Sequence, residues 1–336
     1  MYKEQTKLDT LKKVKEENFA FFRSVAAYLN EFPCLVNKEI MEEIVGGVSN
    51  IEEQSFALFL SVALSEDDKA AKLFEREYLK KSVKKLNADE YKQNPYFKNI
   101  VIPKKKVSTW ELGYQSYQPY EGFVYDDIDV LENYREIPKI GFFTEEFSFP
   151  TVFEDGVEWM AIKPNEIETM KPHIEKMWGD VCVFGLGIGY FAYMVSEKTN
   201  VSSVTVVERD SSVINLFEKY ILPQFPNKEK IKIVKSDAFD FVKKQMVEKK
   251  FDCAFVDLWH DVSDGVDLYV KMKKLEVKSP TTEFCYWIEK SILSNVRWHI
   301  FEGIQKRIES GNFDEPFENI KKYISDDYLK NFVKFL

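Results

Sequence analysis

The segment VCVFGLGIGYFAYMVSE, residues 181–197, constrains the fold of this chain more than any other. Its apolar start shows no polar alternation, which is typical of a strand buried on both faces in a parallel sheet. Gly185, Gly187 and Gly189 follow at alternate positions, and an apolar run suited to a helix comes next. The segment therefore predicts a buried strand, a glycine loop and a helix in direct succession.

Strand-like and helix-like segments continue to alternate after this loop. The strand-like segments are SSVTVVERD, KIKIVKSD and FDCAFVDLW. Because strands that alternate with helices join as parallel neighbours, the pattern predicts an α/β fold with a doubly wound parallel sheet. Beyond Tyr269 the pattern is more typical of helices, both in the segment 283–310 and in the last residues, 318–335.

The first 165 residues have a different character. Apolar residues from Leu8 to Leu29 recur at helical spacing, so we expect a helical N-terminal domain over 1–93. A Tyr-rich connector and a β-hairpin follow over 94–165, with Asp155-Gly156 as the hairpin turn. The α/β domain and its helical C-terminal part then occupy 166–336.

A proline interrupts the helix expected at the start of this α/β domain. Asn165, with Glu168 three residues later, is typical of a helix start. Pro172 lacks the backbone N–H that a helix interior uses, so we expect it to divide this helix into two pieces.

Charge and composition narrow the range of partners. The net charge is -9, whereas nucleic-acid binding needs Lys and Arg on one face, so a nucleic-acid partner is not expected. An apolar signal core and a membrane-length apolar run are both missing from the sequence, so we expect a cytoplasmic protein without a membrane partner. The cysteines form no C-x-x-C pair, and neither a disulfide framework nor a metal site is indicated.

The glycine spacing argues against a dinucleotide ligand. The dinucleotide fingerprint G-x-G-x-x-G would need a glycine at position 190, which is Tyr190 here. A ligand without a pyrophosphate therefore fits the loop better.

Acidic residues end the strands that follow the glycine loop. Glu208 ends the second strand, where a carboxylate can accept hydrogen bonds from both hydroxyls of a ribose, and Arg209 comes next. Asp237 ends the third strand and can accept from an adenine amine, with Ala238 beside the ring. Asp257 ends the fourth. We expect all of them at the sheet edge where open α/β sheets bind ligands.

The motifs GLGIG, VVERD, SDAFDF and FDCAFVDLWHD resemble, in order and approximate spacing, those of the class I S-adenosylmethionine-dependent methyltransferases. The resemblance covers about residues 180–270 and implies a Rossmann-like sheet that binds S-adenosylmethionine. The residues that it implies for binding are Phe184, Gly185, Gly187, Gly189, Tyr190, Glu208, Arg209, Asp237, Ala238 and Asp257.

Within this class, SSVTVVERDSSVINLFEKY and the preceding hairpin resemble the spermidine synthase branch. The aminopropyltransferases of that branch carry a G-G-G-D-G loop and a D-S/T-x-D motif. Here Ile188 replaces the loop acid, and His260 replaces the second acid of the later motif, whose first acid matches Asp257. Val183 also stands where methyltransferases usually carry an acid.

The segment DLWHD, residues 257–261, contains the candidate catalytic residues. Asp257 can hold the amino group of the donor or accept a hydrogen bond from the acceptor. Trp259 can stack on an acceptor ring or on the sulfonium. His260 is a candidate base and Asp261 can orient it, although such a pair is equally typical of a surface loop.

Together these patterns predict an S-adenosylmethionine-dependent methyltransferase that acts on an unidentified small-molecule acceptor. Two alternatives stay open: an aminopropyltransferase of the spermidine synthase type, and a non-catalytic protein that binds S-adenosylmethionine or serves as a scaffold. The helical N-terminal domain is the surface through which we would expect copies of the chain to associate.

Overall fold

A computed structural model describes residues 2–45, 51–246 and 250–310. The helix expected over 318–335 lies outside these residues. The helices are α1 (Tyr2–Glu31), α2 (Lys38–Val45), α3 (Glu52–Ala63), α4 (Asp68–Phe74), α5 (Lys80–Ser82), α6 (Ala88–Lys92), α7 (Pro95–Asn99), α8 (Pro164–Lys176), α9 (Tyr190–Ser196), α10 (Ser211–Leu216), α11 (Ala238–Lys244), α12 (Val262–Glu276) and α13 (Glu289–Ser310). The strands are β1 (Val83–Lys85), β2 (Lys105–Val107), β3 (Trp110–Tyr117), β4 (Phe123–Val130), β5 (Glu136–Phe142), β6 (Phe147–Glu154), β7 (Val157–Ala161), β8 (Gly179–Phe184), β9 (Val201–Glu208), β10 (Ile231–Lys235), β11 (Cys253–Val256) and β12 (Glu283–Tyr286).

A five-stranded sheet forms the centre of the α/β part, and its strands run in the order β10-β9-β8-β11-β12. Every pairing in it is parallel, which confirms the predicted doubly wound α/β fold. The central strands are apolar because helices cover both faces of the sheet; Val181 and Cys182 of β8 are fully buried.

The segment 283–310 is mostly helical, as expected, but its first residues form the edge strand β12. Glu283–Tyr286 pairs in parallel with β11, and the helix begins only at Glu289. A short apolar run such as FCY fits a buried strand and a buried helix equally well by periodicity, so the sheet edge decides its conformation.

The connection order places a crevice above the middle of the sheet. From β8 the chain goes to β9 and β10 on one side, and it later returns to β11 and β12 on the other. Phe184 at the end of β8 pairs with Val207 of β9 and with Val256 of β11. The loops after these strands therefore meet at one edge, which is the switch point where α/β sheets bind ligands.

The connector is more ordered than its pattern indicated. It contributes to an antiparallel sheet, β2-β3-β6-β7, and to a second sheet, β1-β5-β4. The β6–β7 hairpin is confirmed, with Asp155 and Gly156 at φ 50° and 84°, the left-handed values that its tight turn requires.

Helix α8 is a single helix that includes Pro172, so the predicted division into two pieces is wrong. Pro172 removes one backbone hydrogen bond close to the helix end, and the buried side chains of Ile167, Met170 and Ile174 hold both halves against the core. The helix also begins one residue earlier than Asn165, at Pro164.

The N-terminal helices pack on β5 around a second apolar cluster that includes Phe21, Phe56 and Phe142. The ring of Phe56 stacks on that of Phe142 with centroids 4.3 Å apart. In the described parts of the chain, every helix is too short or too polar to cross a membrane.

Candidate active site

A cavity of about 990 Å³ lies at the carboxyl edge of the five-stranded sheet. Its walls come from the glycine loop, the ends of β9, β10 and β11, the start of α8, strand β7 and strand β4. The α/β part supplies one side of the cavity, and strands β4 and β7, which precede it in the sequence, supply another.

The backbone of the glycine loop is left-handed at Gly185, Gly187 and Gly189, with φ of 99°, 51° and 77°. A side chain at Gly185 would place its Cβ 2.0 Å from the carbonyl oxygen of Asp257, and one at Gly187 would lie 2.0 Å from Sδ of Met160. Both conformation and space therefore require glycine here. The loop closes against the end of β11 and against the hairpin.

Three residues expected at the ligand do not line the cavity. Phe184 is fully buried and meets Phe241 edge to face at 6.0 Å. Tyr190 is buried at the start of α9, and its hydroxyl accepts a hydrogen bond from Asn94 at 2.9 Å. Gly189 lies under the ring of Phe217. These residues therefore pack behind the glycine loop, on the side of the protein core.

The strand-end acids Glu208 and Asp237 do line the cavity, together with Arg209 and Ala238. Oε2 of Glu208 accepts a hydrogen bond from the backbone N–H of Leu186 in the glycine loop at 3.2 Å, and Oε1 accepts from Asp210 N–H at 2.8 Å. The carboxylate is thereby held in place beside the loop.

Asp237 also has a structural task. Its Oδ1 accepts a hydrogen bond from the backbone N–H of Asp240 at 3.0 Å, so it caps helix α11. The cap fixes the carboxylate at the end of β10 and at the cavity wall.

Asp257 and Glu166 form the strongest electrostatic feature of the cavity, and both line it. Burial raises the pKa of Asp257 to about 7. Burial also raises the pKa of Glu166 well above its ordinary value; the nearby Asp257 charge adds to this effect, while Lys163 opposes it. Two close carboxyls that are removed from water ionise together only when a cation compensates them.

Further carboxylates extend this acidic character beyond the pair. They line the same cavity from β4, β6, β7 and the loop before β4: Glu121, Asp126, Asp127, Glu154 and Glu158. Lys163 also lines the cavity, and its ammonium group forms an ion pair with Glu158. Negative charge therefore dominates the wall opposite the glycine loop.

The loop after β11 places the other candidate catalytic residues at this cavity. Trp259 is only 5% exposed, packs against Gly265, and its Nε1 has no hydrogen-bond partner within the protein. His260 is well exposed, and its Nδ1 lies 3.8 Å from Oδ2 of Asp261, longer than a hydrogen bond. Asp261 caps helix α12 by accepting from Ser263 N–H at 2.6 Å.

Sequence reasoning missed Glu166, Glu158 and Trp159 as cavity residues. All three lie shortly after the Asp155-Gly156 turn, in the strand and helix that lead into the sheet. The hairpin was predicted, but its approach to the glycine loop depends on the packing of Met160 against Gly187. A pattern in the sequence alone does not reveal that contact.

In chemical terms, the carboxylates of Glu208 and Asp237 can accept hydrogen bonds from hydroxyl or amine groups, and those of Asp257 and Glu166 suit a cationic group. Carboxylates attract an ammonium group strongly where water is partly excluded. A half-buried carboxyl with a pKa near 7 can also accept a proton at neutral pH.

Residues 167–276 match the family model described as "Spermine/spermidine synthase domain". No curated protein sequence matches the chain.

Solved structures show partial similarity. A spermidine synthase from Thermotoga maritima is 17% identical with a TM-score of 0.32, over 41% of this chain and 48% of that protein. A spermidine synthase in complex with the transition-state analogue AdoDATO is 19% identical with a TM-score of 0.26, over 32% of this chain and 40% of that one. A putative O-methyltransferase from Klebsiella pneumoniae is 12% identical with a TM-score of 0.24, over 29% of this chain and 43% of that one.

The chain spans about half the length of the first of these structures. The family match covers strands β8 to β11 and the helices between them, which include the glycine-loop side of the cavity. Over residues 167–276 the chain is therefore similar to the spermine/spermidine synthase domain, and its α/β part has the Rossmann-like fold of the class I S-adenosylmethionine-dependent methyltransferases.

Proposed function

We propose that this protein transfers an aminopropyl group from decarboxylated S-adenosylmethionine to a primary amine. The observation that supports this most is the carboxyl pair Asp257 and Glu166 in an acid-lined cavity beside the glycine loop. Such a site favours two cationic reactants, an amine acceptor and a donor whose tail ends in an ammonium group without a carboxylate.

The residues of the glycine-loop side fit an adenosyl donor. Glu208 is held beside the loop by Leu186 N–H and keeps a carboxylate at the cavity wall for the ribose hydroxyls. Asp237 and Ala238 follow at the next strand end, where an adenine would lie. When bound, the donor supplies a carbon activated by a positively charged sulfur.

The carboxyl pair has two tasks in the proposed reaction. Glu166 holds the acceptor amine in its ammonium form. The ammonium group then releases one proton, which Asp257 accepts. The lone pair of the amine nitrogen then forms a C–N bond with the aminopropyl carbon. The C–S bond breaks, and its electrons return to sulfur, which leaves neutral methylthioadenosine.

Glu166 and Glu158 can replace the two acids of the spermidine synthase motifs that this chain lacks. Ile188 stands where that branch has its loop acid, and His260 stands at its second later acid. Carboxylates that come from β7 and α8 occupy the same cavity, so negative charge is supplied from a different part of the chain.

Methyl transfer is the second candidate. The buried, apolar side chain of Ile188 favours it, because the loop lacks the acid that would hold the donor amine in aminopropyl transfer. Methyl transfer would use S-adenosylmethionine, whose tail carries a carboxylate. That carboxylate would face the Asp257–Glu166 pair, and this repulsion makes methyl transfer the weaker candidate.

The test is to incubate the purified protein with decarboxylated S-adenosylmethionine and putrescine, and to measure methylthioadenosine by chromatography. We expect methylthioadenosine only when both reactants are present, and a large loss of rate in Asp257→Asn. Glu111→Gln, which changes an exposed carboxylate on β3 that does not line the cavity, serves as the control. A protein that binds methylthioadenosine but forms none with any amine would contradict the proposal.

A further inference from the structure

Trp287 makes one hydrogen bond toward each member of the carboxyl pair, Asp257 and Glu166. It directly follows the last residue of β12, lines the cavity and is buried. It also lies outside residues 167–276, the segment that matches the family model. One of its two bonds comes from the backbone and the other from the indole ring, so this residue joins two separate elements of the site.

The backbone of Trp287 holds the end of β11. Its N–H donates a hydrogen bond of 3.0 Å to the carbonyl oxygen of Val256, the residue before Asp257. The N–H of Asp257 in turn donates a hydrogen bond of 2.9 Å to the carbonyl oxygen of Phe184, at the end of β8. The backbone that carries the Asp257 carboxyl is therefore fixed between the ends of β12 and β8.

The side chain of Trp287 holds the first turn of α8, which carries Glu166. Its Nε1 donates a hydrogen bond of 2.9 Å to Oγ1 of Thr169. The Thr169 hydroxyl in turn donates one of 2.6 Å to the carbonyl oxygen of Asn165, the residue before Glu166. Because Pro172 removes one backbone hydrogen bond within α8, this side-chain anchor carries more of the restraint on the first turn.

The turn that follows Trp287 has a strained backbone. Ile288 has a φ of 44°, a left-handed value that a β-branched residue rarely adopts. Helix α13 begins at the next residue, and Asp127 holds its first turn by accepting a hydrogen bond of 3.2 Å from the N–H of Lys290. Strain of this kind persists only where the surrounding contacts determine the conformation. The position of Trp287 is thus set by contacts on both sides of the turn.

We infer that Trp287 and Thr169 are positioning residues that set the separation of the Asp257 and Glu166 carboxyls. The two carboxyls come from different elements, the end of β11 and the start of α8, and Trp287 is bonded to both. Their separation matters because the repulsion between two carboxylates, and hence their affinity for protons and cations, depends on distance. This inference rests on the proposed function for the part that the pair has in transfer.

The charged groups around Glu166 come from three other places. Asp257 faces it from the end of β11, Lys163 from the residue before α8, and Glu158 from β7. Burial raises the pKa of Glu166, and the charge of Asp257 adds to this effect. If the anchor on α8 is lost, Glu166 can move away from Asp257 toward water, and its pKa should fall toward the ordinary value.

Carbon-13 NMR of the side-chain carboxyls tests this inference without requiring transfer. The full chain is labelled at the carboxyl carbons of Asp and Glu, and the two signals are assigned by their loss in Asp257→Asn and Glu166→Gln. In Thr169→Val, which keeps the shape but removes the hydroxyl, the Glu166 titration midpoint should fall by about half a pH unit or more. Trp287→Phe removes the same bond from the other side and should shift the midpoint in the same direction. Thr169→Ser keeps the hydroxyl and should retain the midpoint of the unmodified protein.

The control is Trp298→Phe, which also loses an indole hydrogen bond, one of 2.6 Å to Oε1 of Glu136, at a position that does not line the cavity. It should lower the free energy of unfolding but leave the titration of Glu166 unchanged. An unchanged midpoint in both Thr169→Val and Trp287→Phe, or an equal shift in Trp298→Phe, would overturn the inference.

The same variants separate this inference from the proposed function. In the transfer assay, Thr169→Val should lower kcat by about 5- to 30-fold, while Thr169→Ser should retain most of it. If the Glu166 midpoint shifts as expected but no methylthioadenosine forms from the decarboxylated donor, the positioning role stands and aminopropyl transfer fails. If methylthioadenosine forms and Thr169→Val changes neither kcat nor the midpoint, the positioning role fails and aminopropyl transfer stands.

Discussion

The hydroxyl of Tyr96 donates a hydrogen bond of 2.5 Å to the carbonyl oxygen of Ile188, in the middle of the glycine loop. Tyr96 is fully buried on helix α7 of the connector, and its ring meets those of Tyr190 and Tyr193 edge to face. A residue far from the α/β part in sequence therefore fixes the loop against which the donor would lie.

Tyr96→Phe is expected to weaken donor binding. The substitution removes the hydroxyl and leaves the buried Ile188 carbonyl without this donor, which costs about 1–2 kcal/mol and lets the loop relax. The Kd of methylthioadenosine, measured by calorimetry, should rise by about 5- to 30-fold. Tyr193→Phe is the matched control, because it loses the Asn99 contact of 2.7 Å between α7 and α9 but none to the loop. Equal affinity in Tyr96→Phe and the unmodified protein would show that the loop does not need this bond.

Glu208→Gln is expected to weaken the same ligand by more than about tenfold, because the ribose hydroxyls lose a charged acceptor. Glutamine keeps an oxygen for Leu186 N–H, so the loop itself should be preserved. Glu154→Gln, which changes a cavity carboxylate on β6 instead of one at the end of β9, should leave the Kd unchanged. If the two variants bind equally well, the donor does not lie along the β9 strand end.

The rate of transfer is expected to rise with pH through about 7. Burial raises the pKa of Asp257 to about 7, and only its ionised form can accept the amine proton. At saturating substrates the rate should therefore fall as pH drops below this value. A rate profile that is flat between about pH 6 and 8 would exclude Asp257 as the proton acceptor.

The same carboxyl should affect stability with the opposite trend. The pKa of Asp257 is higher in the folded protein than in the unfolded chain, so between about pH 4 and 7 the folded state binds more protons. The free energy of unfolding therefore falls as pH rises through this range. Asp257→Asn removes this penalty. In urea unfolding the variant should gain roughly 2 kcal/mol over the unmodified protein at pH 8, a value reduced for partial solvent exposure, and little at pH 4. A gain that is the same at both pH values would show that the carboxyl is not perturbed.

The sequence predicted the sheet of the α/β part well because its strands are short, apolar and separated by helices. It missed β12, since the run FCY has no periodicity that separates strand from helix. It also placed Phe184 and Tyr190 at the ligand because they flank the glycine loop. Both side chains point into the core, a direction that neighbouring positions in the sequence do not determine.

The cavity walls opposite the glycine loop were not predictable in the same way. Glu121, Glu158 and Trp159 reach the site because the two smaller sheets pack against the α/β part. Local patterns predicted the hairpin that carries two of them, but long-range contacts determine which of its residues meet the cavity. The acidic character of the site therefore became visible only in the structure.

The donor preference of the purified protein tests the central claim most directly. The values of kcat/KM are measured with S-adenosylmethionine and with its decarboxylated form, each with putrescine, and the products are identified by mass spectrometry. We predict a preference of at least about tenfold for the decarboxylated donor, equivalent to about 1.4 kcal/mol, with methylthioadenosine and an aminopropylated amine as products. A preference for the carboxylated donor, with S-adenosylhomocysteine and a methylated product, would contradict aminopropyl transfer.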